Sequence, residues 1–150
     1  MMKMNTIKSL YTLVLLAVLV SLAACKGDDA KPATRTQMIT KNWKVQQVDE
    51  TLNGTTTTVY QQGTSGASVD YSAYRLNFTS ASNFTRTGRD NTSISGTWSF
   101  DDSETKITFD QSTPKEATIV ELKDNSLIIT YSETDAKGRN KDIRMQLIPA

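Results

Sequence analysis

The chain has 150 residues, 17 of them basic and 16 acidic, with one cysteine and no histidine. So even a balance gives no electrostatic footprint for nucleic acid or an anionic surface. The lack of histidine removes the base of a His-dependent triad and closes most metal sites, and a lone cysteine allows no internal disulfide.

In chain order, Lys3 and Lys8 form a basic start ahead of the apolar run Leu10–Val20. Eleven apolar residues are too few for a transmembrane helix, which needs about 20. The charged start, the short apolar core and the small residues that follow are a secretory pattern, so residues 1–24 are expected to be a cleaved signal helix. The tetrad Leu22-Ala23-Ala24-Cys25 resembles the lipobox of bacterial lipoproteins. That resemblance implies that Cys25 carries palmitate-type acyl chains and becomes the N-terminus. More than one chain is what stable anchoring requires. Lys26 stands where an inner-membrane lipoprotein would carry Asp, which points to the outer membrane. Lys26-Gly27-Asp28-Asp29 resembles a surface-export tag interrupted by Gly27, and the choice of leaflet stays open. Loss of the signal leaves 126 residues, with 15 basic against 16 acidic.

Residues 25–33 are predicted to be a flexible tether, and residues 34–150 a single β-barrel domain. Thr34-Arg35-Thr36-Gln37 fits a capping box that opens a helix of about two turns, with Met38 and Ile39 on its apolar side, placed to plug one end of a barrel. From Trp43 onward strand signals recur about every ten residues. Strands are predicted over Trp43–Glu50 and Thr55–Gln61 around an Asn53-Gly54 turn, and the polar stretch Gln62–Asp70 is a mobile rim. A further strand is predicted over Tyr71–Thr79, with Tyr74, Leu76 and Phe78 on one face, then a short one around Phe84. Ser93–Phe100 alternates most strictly and is followed by a turn at Asp101–Glu104 and a return strand through Ile107 and Phe109. Glu116–Lys123 and Ser126–Thr134 flank an Asp124-Asn125 turn, and Lys137-Gly138 leads to a last strand through Ile143, Met145 and Leu147. Eight or nine half-wet strands with short connections predict an all-β, antiparallel up-and-down barrel, which removes exposed edges.

Several stretches in this order resemble one family. Asn42-Trp43-Lys44-Val45 follows a short helix. Tyr74-Arg75-Leu76-Asn77-Phe78 precedes Phe84 and Gly88, and Gly96-Thr97-Trp98-Ser99-Phe100 precedes Ile107-Thr108-Phe109. Together they are similar to the lipocalin-like lipoprotein domains of Bacteroidota. The match departs from true lipocalins at Lys41, where those carry a Gly two residues before the first-strand Trp. The resemblance therefore supports the fold more than any ligand.

The available acid–base groups are carboxylates: Asp49, Glu50, Asp101, Asp102, Glu104 and Asp110. They fall in turns and at strand ends, where solvated charge is the ordinary explanation, so no enzymatic activity and no cofactor or metal is expected. Asp101-Asp102-Ser103-Glu104 lacks the alternating oxygens and the glycine of a calcium loop and reads as a hairpin turn. The candidate core is Val45, Tyr74, Leu76, Phe78, Phe84, Ile94, Trp98, Phe100, Ile107, Phe109, Ile129, Tyr131, Ile143, Met145 and Leu147. Within it, Tyr74, Phe78, Trp98, Phe100, Phe109 and Tyr131 are the candidate lining for a small apolar or amphipathic ligand. An eight-stranded barrel either fills its interior with such side chains or leaves room for one small ligand. A ligand-binding barrel and a filled barrel docking on another cell-envelope protein therefore both remain open.

Overall fold

Thr34 and Gln37 cap each other, and this reciprocal pairing starts the first helix. The Gln37 N–H donates to Thr34 Oγ1 at 3.2 Å, and the Thr34 N–H donates to Gln37 Oε1 at 2.8 Å. The resulting helix α1 spans only Arg35–Ile39. This computed structural model describes residues 32–150, so the predicted signal, Cys25 and the tether up to residue 31 lie outside the described residues. Ala33–Ala150 form one compact unit whose core, among the described residues, runs from Ile39 to Leu147.

Nine strands follow: β1 Asn42–Leu52, β2 Thr55–Gln61, β3 Arg75–Phe78, β4 Asn83–Thr87, β5 Ser93–Phe100, β6 Lys106–Phe109, β7 Glu116–Lys123, β8 Ser126–Thr134 and β9 Asn140–Pro149. Every pairing is antiparallel. β3 to β9 pair in sequence, and β1 closes the ring by pairing with β3 through Asn42–Lys44 and with β9 over Trp43–Pro149 to Thr51–Asp142. Eight strands thus form a closed barrel. β2 is the additional ninth, hairpinned onto the later part of β1 through Asn53 (φ 51°) and Gly54 (φ 77°). Two left-handed residues give the turn whose twist suits a two-residue hairpin, which is why Asn-Gly occupies it.

Burial follows alternation until a bulge intervenes. On the β9 side the register of β1 slips between Val45 and Gln47, so Val45 and Val48 both face inward although they are three residues apart. β7 slips between Ile119 and Glu121, which turns Leu122 inward as well as Ile119. Gly96 in β5 is required by a close approach, since a Cβ there would lie 2.5 Å from the Asp110 carbonyl oxygen and 3.1 Å from Phe84 Cε1.

Two expectations are corrected. The strand predicted over Tyr71–Thr79 is confined to Arg75–Phe78. Asp70 Oδ1 accepts the Ser72 N–H at 2.8 Å, and the Tyr74 N–H donates to the Tyr71 carbonyl at 3.0 Å, so the chain turns before it can pair. Ile94 is half-buried and stands outside the core, because it lies near the start of β5 opposite Arg86. Conversely, Trp43, Val48, Tyr60, Tyr71, Ala117, Ile119, Leu122 and Leu127 join the core although alternation alone did not select them.

Candidate functional site

The barrel has two dissimilar ends. At one end lie α1, the β3–β4, β5–β6 and β7–β8 connections and the final residues of β9. Ile39 and Trp43 are fully buried there, and the indole Nε1–H of Trp43 donates to the Ile39 carbonyl at 2.9 Å. Arg35 reaches Glu104 at 3.6 Å, and the Lys41 ammonium donates to the Asp124 carbonyl at 2.7 Å, so α1 and the residue after it are fastened across this end.

Just inside that closed end is a packed aromatic cluster. Trp98 meets Phe78 at 5.1 Å and Phe100 at 4.9 Å between ring centroids, edge to face in both cases. Phe109 lies 5.1 Å from Phe84 and 6.2 Å from Phe78. Edge-to-face contacts of this kind add stability beyond the area buried. The Trp98 indole donates to the Ser80 carbonyl at 3.1 Å, so its polar edge is also engaged. Four of the six predicted lining residues, Phe78, Trp98, Phe100 and Phe109, therefore pack against one another.

The other end is where the predicted tyrosines gather. It is made by the β4–β5, β6–β7 and β8–β9 connections and by the segment 62–74. Tyr71 lies 5.7 Å from Tyr60 and 5.9 Å from Tyr74, and the Arg89 guanidinium sits 5.2 Å from the Tyr71 ring centre. Burial pushes the Tyr74 hydroxyl up to about 12, with the Arg86 guanidinium working against the rise. Burial, and then the neighbouring Tyr74 and Tyr71, also raise the Tyr131 hydroxyl above its ordinary value. These phenols stay neutral, so they can donate hydrogen bonds at any physiological pH.

Charged side chains also point inward here, each two residues beyond a core position. Glu50 follows Val48, Glu133 follows Tyr131, and Lys141 precedes Ile143. The Lys141 ammonium lies 2.9 Å from both Glu50 Oε1 and Glu133 Oε1. Burial pulls the Lys141 pKa down, but its hydrogen bonds to the two carboxylates outweigh that and raise it overall. Arg86 follows Phe84 in β4 in the same way, and its Nη1 donates to the Thr113 carbonyl.

Two clefts meet at Arg86. One, of about 380 Å³, is lined by Arg86, Ile94, Lys115 and residues 110–113. The other, of about 510 Å³, is lined by Arg86, Gly88, Arg89, Asp90 and Thr92. A third, of about 550 Å³, lies between β7, β8 and β9 and includes Thr118, Thr130, Tyr131 and Asp142. Of the six predicted lining residues, only Tyr131 borders any of these three. Residues 64–68 of the predicted rim instead face β2 across a cleft of about 360 Å³.

The candidate carboxylates are dispersed. Asp49 accepts from Gln47 and from the Thr58 hydroxyl, and Asp110 accepts from Gln111. Asp101 accepts the Thr105 and Lys106 N–H groups at 2.7 and 2.8 Å, which makes it the cap of an exposed turn. Among the described residues, no group of three or more Asp, Glu, His or Cys is placed to hold a metal ion.

A family model described as a lipocalin-like domain matches residues 39–129. Two solved structures are similar to parts of the chain. A deswapped triple mutant of bovine odorant binding protein is 12% identical, with a TM-score of 0.41, over 72% of this chain and 71% of that one. A lipocalin-like protein from Bacteroides uniformis is 12% identical, with a TM-score of 0.39, over 73% of this chain and 96% of that one. Among curated proteins, none matches the chain.

Proposed function

The chain belongs to the lipocalin-like domain family, and on that premise we propose that it is a non-enzymatic binding protein, anchored in the outer membrane through lipid on Cys25, that takes one small amphipathic molecule at the barrel mouth. The observation that carries this reading is the pair of clefts that share Arg86 as a wall. Their volumes fall in the range of ordinary small-molecule sites, about 300–1,000 Å³. The aromatic cluster occupies the other end, so the ligand sits shallow, with its polar part near the mouth and its apolar part towards Ile94. Anchoring at Cys25 would hold such a site within a tether's length of the bilayer, where amphipathic molecules are concentrated.

Native mass spectrometry on a soluble form lacking residues 1–24, with Cys25→Ser, purified gently from its own envelope, tests the binding reading. A co-purifying mass of a few hundred daltons, lost when Ile94→Asp alters the mouth, is the expected result. A bare protein mass across a lipid and pigment panel would overturn it in favour of a filled barrel that docks on another envelope protein. Anchoring has its own test. Metabolic labelling with an alkyne fatty acid should mark the wild-type protein and leave Cys25→Ser unlabelled.

A further inference from the structure

Arg86 carries a charge that the fold brings to an inward, half-buried position with no ion pair within 4.0 Å among the described residues. Its position in β4 is inward, two residues after fully packed Phe84, and its Nε is buried with no hydrogen-bond partner. Arg35 Nε is likewise unbonded, but Glu104 stands 3.6 Å from it, so that charge is answered. Ion pairs within 4.0 Å among the described residues engage Arg35, Lys41, Lys106, Lys123, Arg139, Lys141 and Arg144. Arg86 is in none of them.

Its surroundings add to the imbalance. Lys115 lines one of the two clefts and Arg89 the other, and they too form no ion pair among the described residues. Two acids border the clefts, and Asp90 feels the Arg86 charge, but neither comes within ion-pair distance of it and both accept from neutral neighbours. Asp90 Oδ1 accepts the Thr92 N–H at 3.1 Å and its hydroxyl at 2.7 Å, and Asp110 Oδ1 accepts from Gln111 at 3.2 Å. Arg86 thus borders both clefts with an unfilled donor, with Lys115 as a second cation in one and Arg89 in the other. Taking a charge out of water is costly unless a partner and hydrogen bonds replace the lost hydration. A planar guanidinium with a free Nε–H presents the fork that suits an oxyanion.

Building on the mouth-binding reading above, we propose that the ligand carries an oxyanion head group, a carboxylate or a phosphate, seated on Arg86 within the field of Arg89 and Lys115. The Nε–H and a terminal N–H supply the two parallel donors, while Nη1 keeps its bond to Thr113 and fixes the plane. Ile94, opposite Arg86 across the β4–β5 pair, gives the apolar part of the ligand its first contact.

The experiment uses three probes on the soluble form: laurate, dodecanol and inorganic phosphate. The Nε–H resonance of Arg86 and the amides of Arg89 and Ile94 are followed by NMR, with affinities from calorimetry. Laurate should shift the Arg86 Nε–H resonance, and Arg86→Gln should weaken laurate about tenfold, the worth of a charge-assisted hydrogen bond. Dodecanol should bind more weakly and ignore that substitution. A response to phosphate alone would also support an oxyanion site and would identify a soluble anion, not a lipid, as its source. The wild-type resonance needs no variant, so a folding defect in Arg86→Gln cannot mask the answer, and Arg86→Lys should retain part of the affinity through its charge. Laurate and dodecanol binding equally, both indifferent to Arg86→Gln, would overturn the oxyanion inference and leave the mouth reading standing. If none of the three probes moves Arg86, Arg89 or Ile94, both fall.

Discussion

The two ends of the barrel are built from the same strands but solve opposite problems. At the α1 end, Trp43, Ile39, Phe78 and Trp98 exclude water, and their few polar atoms find backbone partners such as the Ile39 and Ser80 carbonyls. At the mouth, the inward positions two residues further along the same strands are Glu50, Arg86, Glu133 and Lys141. Lys141 bridges the two carboxylates, leaving that trio one negative charge in excess, and Arg86 stands outside the trio's ion pairs. The difference separates stability from recognition along a single axis. The closed end holds the fold, while the mouth keeps polar groups at half burial, where they remain available to a ligand.

The largest effect expected from breaking this contrast is at Trp43. Trp43→Ala removes a fully buried indole and its bond to Ile39, and should cost about 3–5 kcal/mol of unfolding free energy. Tyr131→Phe at the mouth, where the side chain is half-buried, should cost under about 1 kcal/mol. Urea denaturation of both variants compares the ends directly. Equal losses would mean that the mouth is as much a part of the core as the plug.

Next comes Gly96, which lies between the two ends. Gly96→Ala drives a methyl group against the Asp110 carbonyl, a backbone atom with no side-chain freedom to yield. Overpacking of that kind costs about 1–3 kcal/mol. Because Asp110 opens the β6–β7 loop that lines the Arg86 cleft, ligand affinity should fall together with thermal stability. A variant of lowered stability and unaltered affinity would show that the loop is independent of the strand beneath it.

Smaller again is the Lys141 pair of ion contacts. Lys141→Met leaves Glu50 and Glu133 facing each other without their shared cation. A fully buried pair would lose more, but Glu133 is 39% exposed at its side chain, so solvent screening reduces the expected loss to about 1–2 kcal/mol. Glu50→Gln should cost less, because Lys141 keeps Glu133. A double-mutant cycle over the two positions measures the coupling, and a coupling indistinguishable from zero would make the inward charges mere rim solvation.

How much of this was legible in the sequence depends on the period. The Asn53-Gly54 hairpin, the capping box at Thr34 and the Ser93–Phe100 alternation each follow from a rule of fixed spacing, and each stands as expected. Val48 and Leu122 escaped because bulges reset the alternation, and a bulge leaves no mark in residue type. Tyr71 escaped because an Asx turn at Asp70 competed with the strand its aromatic neighbours suggested. The inward charges of the mouth were missed for another reason. An apolar filter finds the core and discards charges, yet Arg86, Glu133 and Lys141 lie in phase with Phe84, Tyr131 and Ile143. Continuing the inward register past the last apolar residue of each strand would have found them.

The finest comparison sets one turn at each end against the other. Asp101 ties the β5–β6 turn at the closed end, and Asp135 ties the β8–β9 turn at the mouth. In both, hydrogen bonds to the carboxylate hold its pKa at about 2, from an ordinary value of 3.8. For Asp101 the Ser103 hydroxyl is the foremost cause, followed by the Lys106 N–H, and for Asp135 the Arg139 N–H followed by the Arg139 side chain. A depressed carboxylate favours the folded turn above its unfolded pKa, and that contribution drains away as pH falls through the folded value. Both turns should therefore hold above pH 3.8 and loosen as the pH approaches about 2. The amides of Thr105 and Lys106 report on one turn, and those of Lys137 and Arg139 on the other. Only Asp135 has an ion-pair partner, Arg139 at 2.7 Å, and such charge is screened by salt while neutral hydrogen bonds are not. Added salt should raise the titration midpoint seen at Lys137 and Arg139 and leave that at Thr105 and Lys106 in place. Equal movement at both ends would mean that Arg139 serves its turn through the backbone alone.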